Sequence, residues 1–147
     1  MDNSYENRLG VLVTDVGRLF GRLYDKRAKA IGLTRAQSRV LAYLSWKGET
    51  NQARLAEWLE ITPISLTRLL DRMEAVGWIE RVANDGDRRA FVIRLTPKAR
   101  AIFPRVIEVG DTIADDGLAG LNAREIDTLI RLLGHIRTNL VSHIDES

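Results

Sequence analysis

Threonine precedes proline twice in this chain, at Thr62-Pro63 and Thr96-Pro97, and each pair fixes where a helix starts. The threonine oxygen can accept from an orphan backbone N–H of the first turn, while proline at the first helical position lacks only a hydrogen that would have had no partner. Between the two starts there is room for one helix and one pair of strands. The helix carries Leu66, Leu69, Leu70, Met73 and Val76 on one stripe, which predicts that these five are buried, and Gly77 closes it. Trp78 to Val82 and Ala90 to Leu95 then read as short strands, because Phe91, Ile93 and Leu95 alternate with Val92 and Arg94. Asn84-Asp85-Gly86-Asp87 between them is a cluster of turn formers, so the pair is expected to fold as a β-hairpin with a protruding loop.

Upstream, Leu9, Leu12, Val13, Val16, Leu19, Phe20 and Leu23 recur every three or four residues, which predicts a long amphipathic helix from about Arg8 to Lys29 with Gly32 as its stop. Thr34-Arg35-Ala36-Gln37 reads as a capping box opening a second helix, with Gln37, Val40, Leu41 and Leu44 inward. Thr50 or Asn51 caps a short third helix whose Leu55, Ala56 and Leu59 point one way, and a tight turn at Glu60-Ile61 follows. Downstream of Pro97 a fifth helix runs through Ile102, Val106, Val109 and Ile113, with Pro104 expected to kink it. Gly117 and Gly120 are expected to break the chain before a second capping box, Asn122 to Glu125, opens a sixth helix through Ile126, Leu129, Leu132, Leu133, Ile136 and Leu140.

The order predicts a mainly α fold with a small two-stranded β-hairpin, the layout of a winged helix-turn-helix. We read 1–147 as a single domain, with 34–96 as the winged module and 1–33 and 97–147 as flanking dimerisation helices. The apolar faces of the first, fifth and sixth helices exceed what so small a module can cover, so a homodimer is expected.

Cysteine is absent, which excludes thiol catalysis, zinc-cysteine sites and a disulfide framework, and suits a cytoplasmic location. No apolar run is long enough for a membrane span, and Met1 to Glu6 do not resemble a signal peptide. Net charge is only +2, but it is unevenly spread: residues 34–100 hold 12 basic and 8 acidic side chains, whereas 101–147 hold 4 and 8. An enzyme is not expected, nor a metal or other cofactor. His135 and His143 lie eight residues apart without a third ligand, and Asp115-Asp116 and Asp85-Gly86-Asp87 lack the partners that catalysis or calcium binding needs.

Double-stranded DNA is the partner that the arginines suggest. Opposite its buried stripe the fourth helix offers Ile64, Arg68, Asp71 and Ala75, flanked by Ser65, Thr67 and Arg72. Thr62 leaves backbone N–H groups free to attract a phosphate, Arg68 can reach guanine, Ser65 and Thr67 can meet bases or phosphates, and Ile64 can touch a thymine methyl. Asp71 is expected to steer Arg68 or Arg72 by a local ion pair. At the hairpin tip Asp87-Arg88-Arg89 would place two guanidinium groups in a minor groove, with Asp87 fixing one of them. On the far side of the second helix Arg39, Tyr43 and Trp46 project at helical spacing, which suggests a pocket for a small aromatic acid beside the simpler expectation that they pack as core.

Gly32-Leu33-Thr34, Leu55-Ala56, the run Thr67-Arg68-Leu69-Leu70-Asp71-Arg72-Met73-Glu74, Gly77-Trp78-Ile79, Asp87-Arg88-Arg89 and Leu95-Thr96 together resemble the multiple-antibiotic-resistance regulator family, MarR, including its SlyA-like branch. The resemblance implies a homodimeric winged-helix transcriptional regulator, usually a repressor, whose terminal helices dimerise and whose hold on DNA is often relieved by a small ligand. The peroxide-sensing branch needs a reactive cysteine, which this chain lacks. A winged-helix protein-interaction module without DNA binding, or a regulator independent of any ligand, are the alternatives.

Overall fold

The computed structural model describes residues 5–84 and 86–146, apart from the side chains of Glu6 and of 87–90. Six helices follow in order: α1 (Leu9–Ala28), α2 (Arg35–Lys47), α3 (Gln52–Leu59), α4 (Pro63–Val76), α5 (Pro97–Leu118) and α6 (Ala123–Asp145). Three strands, β1 (Thr50–Asn51), β2 (Ile79–Asn84) and β3 (Asp87–Leu95), form an antiparallel sheet in the order β1-β3-β2. The chain divides into two compact units, one up to Ile113 and one from Ala114 onward.

The helix starts are capped as the side chains demand. Thr34 accepts from the Gln37 backbone N–H at 3.1 Å while the Gln37 side chain accepts from the Thr34 N–H at 3.0 Å, and Asn122 and Glu125 do the same at the start of α6. Thr62 accepts from Ser65 N–H, Asn51 from Arg54 N–H and Thr96 from Ala99 N–H. The turn between α3 and α4 holds Glu60 at φ +53°, the one left-handed residue other than glycine among the described residues, and Gly77 ends α4 at φ +88°.

The core of the first unit draws side chains from every helix of the winged module and from both hairpin strands. Val40 and Leu41 of α2, Leu55 of α3, Leu66, Leu70 and Met73 of α4, Ile79 of β2 and Ile93 of β3 are the largest fully buried side chains. Burying a residue of this kind contributes about 1.5–3 kcal/mol, so the module is held by convergence on one centre.

Several expectations need correction. The sheet has three strands: Thr50 pairs with Ile93 and Asn51 with Val92, so the segment read as a mere cap is also a strand. The two hairpin strands are longer than their alternation suggested, with a register shift between Ala83 and Asn84. Leu69 is only half-buried at the edge of the core, and Val76 is 51% exposed, because the buried stripe of α4 ends at Met73 and the next turn lies beyond the core. Gly117 does not end α5, which continues to Leu118, and the break falls at Gly120 with φ +91°. Within the second unit α6 has no buried residue.

Candidate nucleic-acid interface

Leu66, Leu70 and Met73 pin one side of α4 to the core, which turns Ile64, Arg68, Asp71 and Ala75 outward, with Ser65, Thr67 and Arg72 exposed at the flanks. Ile64 is 69% exposed. An isoleucine so placed loses the stabilisation of burial and gains nothing from water, unlike the polar residues that ordinarily fill a solvated helix face. Around it the hydroxyls are ordered. Thr62 Oγ1 lies 2.9 Å from Ser65 Oγ and accepts from the Ser65 backbone N–H at 3.2 Å, and Thr67 Oγ1 donates to the Pro63 carbonyl at 2.9 Å. Gln52, the first residue of α3, donates its amide N–H to Thr67 Oγ1 at 2.6 Å, a contact between the two helices that spacing along one helix could not reveal.

Asp71 does not steer Arg68 or Arg72. It pairs with Arg81 of β2, 2.8 Å from Nη2, because the end of α4 folds back over the start of the strand pair and brings an arginine ten residues on within reach. Arg68 and Arg72 make no ion pair or side-chain hydrogen bond among the described residues. The side chains of Asp87, Arg88 and Arg89 lie outside the described residues; their backbone belongs to β3.

The three residues read as a ligand pocket are not brought together. Tyr43 stacks on Trp58, ring centroids 5.8 Å apart, as part of the packing around the core. Trp46 is 70% exposed, since it falls in the last turn of α2 past the neighbouring helices. Arg39 alone lines a cavity, of about 440 Å³, whose walls include Phe20, Gly21, Tyr24, Arg35 and Val106. Arg39 also donates to the Leu59 carbonyl at 3.2 Å, and Arg35 pairs with Asp25 at 3.2 Å. The Arg35 guanidinium crosses α1 at Gly21, where a Cβ would collide with it. Tyr24 donates to the buried Ser38 hydroxyl at 2.7 Å; burial pushes the Tyr24 hydroxyl above its ordinary value of 10.0, and this hydrogen bond pulls the other way. Sequence reasoning passes over Arg35 because it sits in the capping segment there, and only the approach of α1 gives it a second face.

Among the described residues no helix is long and apolar enough to cross a membrane, and no cluster of acidic or histidine side chains could hold a metal ion.

Against known proteins, the model of the MarR family matches residues 31–90, the segment from just beyond α1 into β3. The multiple antibiotic resistance protein MarR of Salmonella typhimurium is 32% identical over 129 residues, 87% of this chain and 90% of that protein. The crystal structure of wild-type apo MarR from E. coli superposes with a TM-score of 0.82 at 29% identity, covering 88% of this chain and 96% of that one. A mutant E. coli MarR complexed with operator DNA superposes with a TM-score of 0.75, also at 29% identity, over 91% of this chain and 99% of that one.

Proposed function

Because the chain belongs to the MarR family of transcriptional regulators, we propose that it acts as a homodimeric repressor that reads an inverted-repeat operator with α4 and the β2-β3 ribbon. The observation that carries this is the outward face of α4, where an exposed Ile64 stands among ordered hydroxyls and two exposed arginines. Arg68 reads a base, Ile64 meets a thymine methyl, Thr62, Ser65 and Arg72 supply further base or phosphate contacts, and Thr67 meets a base. Asp87, Arg88 and Arg89 at the ribbon tip serve the minor groove.

Residues 34–96 act as the DNA-binding module, and the helices before and after it dimerise. Two uncovered apolar stripes support that division: Leu9, Leu12, Val16 and Leu19 on α1, and Leu129, Ile130, Leu133 and Leu140 on α6. Two-fold symmetry would set the half-site centres about 10 bp apart. Selection of bound duplexes from a randomised pool, followed by footprinting, tests this. Paired half-sites at that spacing are expected; a monomer protecting one unrepeated site overturns it.

A small aromatic monocarboxylic acid is the effector that the Arg35–Arg39 cavity suits, with Phe20 and Tyr24 beside the ring and one guanidinium for the carboxylate. Such an acid would loosen DNA only by preferring a dimer whose recognition helices are wrongly spaced. Titration with hydroxybenzoates and cinnamate-like acids, following tryptophan fluorescence and release of operator, is the test. No response at millimolar concentration, or a response that survives both Arg35→Ala and Arg39→Ala, removes this assignment.

A further inference from the structure

The hydroxyl of Thr67 has no proton to give to DNA. Its Oγ1 lies 2.9 Å from the Pro63 carbonyl one turn earlier and 2.6 Å from Nε2 of Gln52. A carbonyl only accepts, so the single hydroxyl proton goes to Pro63, and the Gln52 amide must meet the same oxygen with its nitrogen. Gln52 is half-buried, makes no other side-chain hydrogen bond among the described residues, and approaches from the neighbouring helix. Thr67 itself is exposed on the DNA-facing side of α4.

Two consequences follow for recognition. Phosphate oxygens, guanine O6 and N7 and thymine O4 are all acceptors, and a hydroxyl whose proton is committed cannot bond any of them. With its proton given to Pro63 and one lone pair taken by Gln52, the oxygen can serve only a donor such as adenine N6–H or cytosine N4–H, and toward thymine Thr67 has its methyl group to offer. The one apolar feature of the major-groove floor is the C5 methyl of thymine.

We propose that Gln52 and Thr67 form a methyl-reading pair, in which Gln52 is a positioning residue that fixes Thr67 so that its methyl selects thymine at one position of each half-site. The inference rests on α4 being the DNA-reading helix. It makes α3, through its first residue, part of the specificity apparatus without requiring Gln52 to touch a base.

The experiment is selection from a randomised duplex pool with the full-length wild type, Thr67→Val, Thr67→Ser and Gln52→Ala, followed by affinity measurements on the selected wild-type site with deoxyuridine replacing each thymine in turn. Thr67→Val loses the oxygen that Gln52 holds but keeps a methyl on a β-branched side chain, and should still prefer thymine at the same base pair. Removing one thymine methyl should weaken wild-type binding by about fourfold per half-site, the worth of one buried carbon group. Thr67→Ser should be indifferent to that replacement, and Gln52→Ala should relax preference at the same base pair while binding unrelated DNA as before. A purely structural role for Gln52 would instead weaken all sequences together. Loss of operator binding by Thr67→Val with binding to unrelated DNA intact, or altered preferences of Thr67→Ser and Gln52→Ala at different base pairs, overturns the inference alone. A wild-type protein that enriches no sequence removes the DNA-binding reading and this inference with it.

Discussion

Asp71 of α4 and Arg81 of β2 meet with Oδ1 2.8 Å from Nη2, and Glu74 completes the contact, with Oε1 3.3 Å from Nη1 and Oε2 accepting from the Arg81 backbone N–H at 3.1 Å. The Arg81 side chain is 17% exposed, whereas Asp71 and Glu74 are 62% and 44% exposed. One sheltered cation therefore pairs with two carboxylates on the helix proposed to face DNA, offsetting one of their two negative charges, and ties that helix to the ribbon.

Arg81→Ala should cost about 1 kcal/mol of folding stability, because its partners are largely solvated. Operator affinity should fall further, by about tenfold or more, since two carboxylates are left beside phosphates and the ribbon loses its anchor. Arg81→Lys restores the charge without the forked geometry and should recover only part of the affinity. Urea denaturation and fluorescence anisotropy on labelled operator separate the two effects; equal affinity for wild type and Arg81→Ala would show that the clamp does not position the ribbon.

Arg68→Ala should weaken operator binding by about 1–3 kcal/mol and relax preference at one base pair per half-site, as removal of a bidentate bond to a base edge does. Competition between operator and unrelated duplex measures this. A uniform weakening on both would show that Arg68 holds a phosphate.

Replacing Arg88 and Arg89 by alanine should weaken binding and flatten the plot of log affinity against log salt by about one unit for each phosphate no longer neutralised, doubled in a dimer. Operators with A·T flanks should suffer more than those with G·C flanks, because the narrower groove concentrates negative potential. An unchanged slope would leave the ribbon tip without a role on DNA.

Tyr24→Phe removes the hydroxyl bonded to the buried Ser38 and should cost about 1 kcal/mol near neutral pH. The sign of the pH effect is set by burial, which raises the folded-state value above 10.0. This contribution to stability is complete below about pH 10 and is lost as pH climbs from there through the folded-state value, where the unfolded chain ionises first. The difference between wild type and Tyr24→Phe in denaturant midpoint should therefore shrink above pH 10; a constant or growing difference contradicts the assignment.

What could be read from the sequence was what depends on neighbours along the chain. Caps at Thr34, Thr62 and Asn122, the glycine stop after α4 and the inward Leu55, Leu59, Leu66 and Leu70 all act within a few residues, and each is found in place. The contacts that escaped join residues that meet only after folding. Thr50 shows no strand pattern because its strand is two residues long, Asp71 finds Arg81 only when β2 returns along α4, and Arg35 meets Gly21 only when α1 crosses α2. Aromatic spacing misled for the same reason: Tyr43 and Trp46 lie one turn apart on the same helix, but Trp58 arrives to cover the first while the second stays open to solvent. The face of α4 was legible because burial of its leucines leaves the outward set no freedom.

The pairing of Thr50 with Ile93 joins positions more than forty residues apart, and it is held by a strand too short to persist by itself. Closing so long a loop carries an entropic cost that local contacts do not, so β1 can zip up only once β2 and β3 have already paired. In refolding, the Thr50 and Asn51 amides should gain protection from exchange in a phase later than those of α4. For a chain leaving the ribosome, the helix-turn-helix can then form while the edge beside it stays open, and the winged module becomes one cooperative body only after Ile93 has emerged.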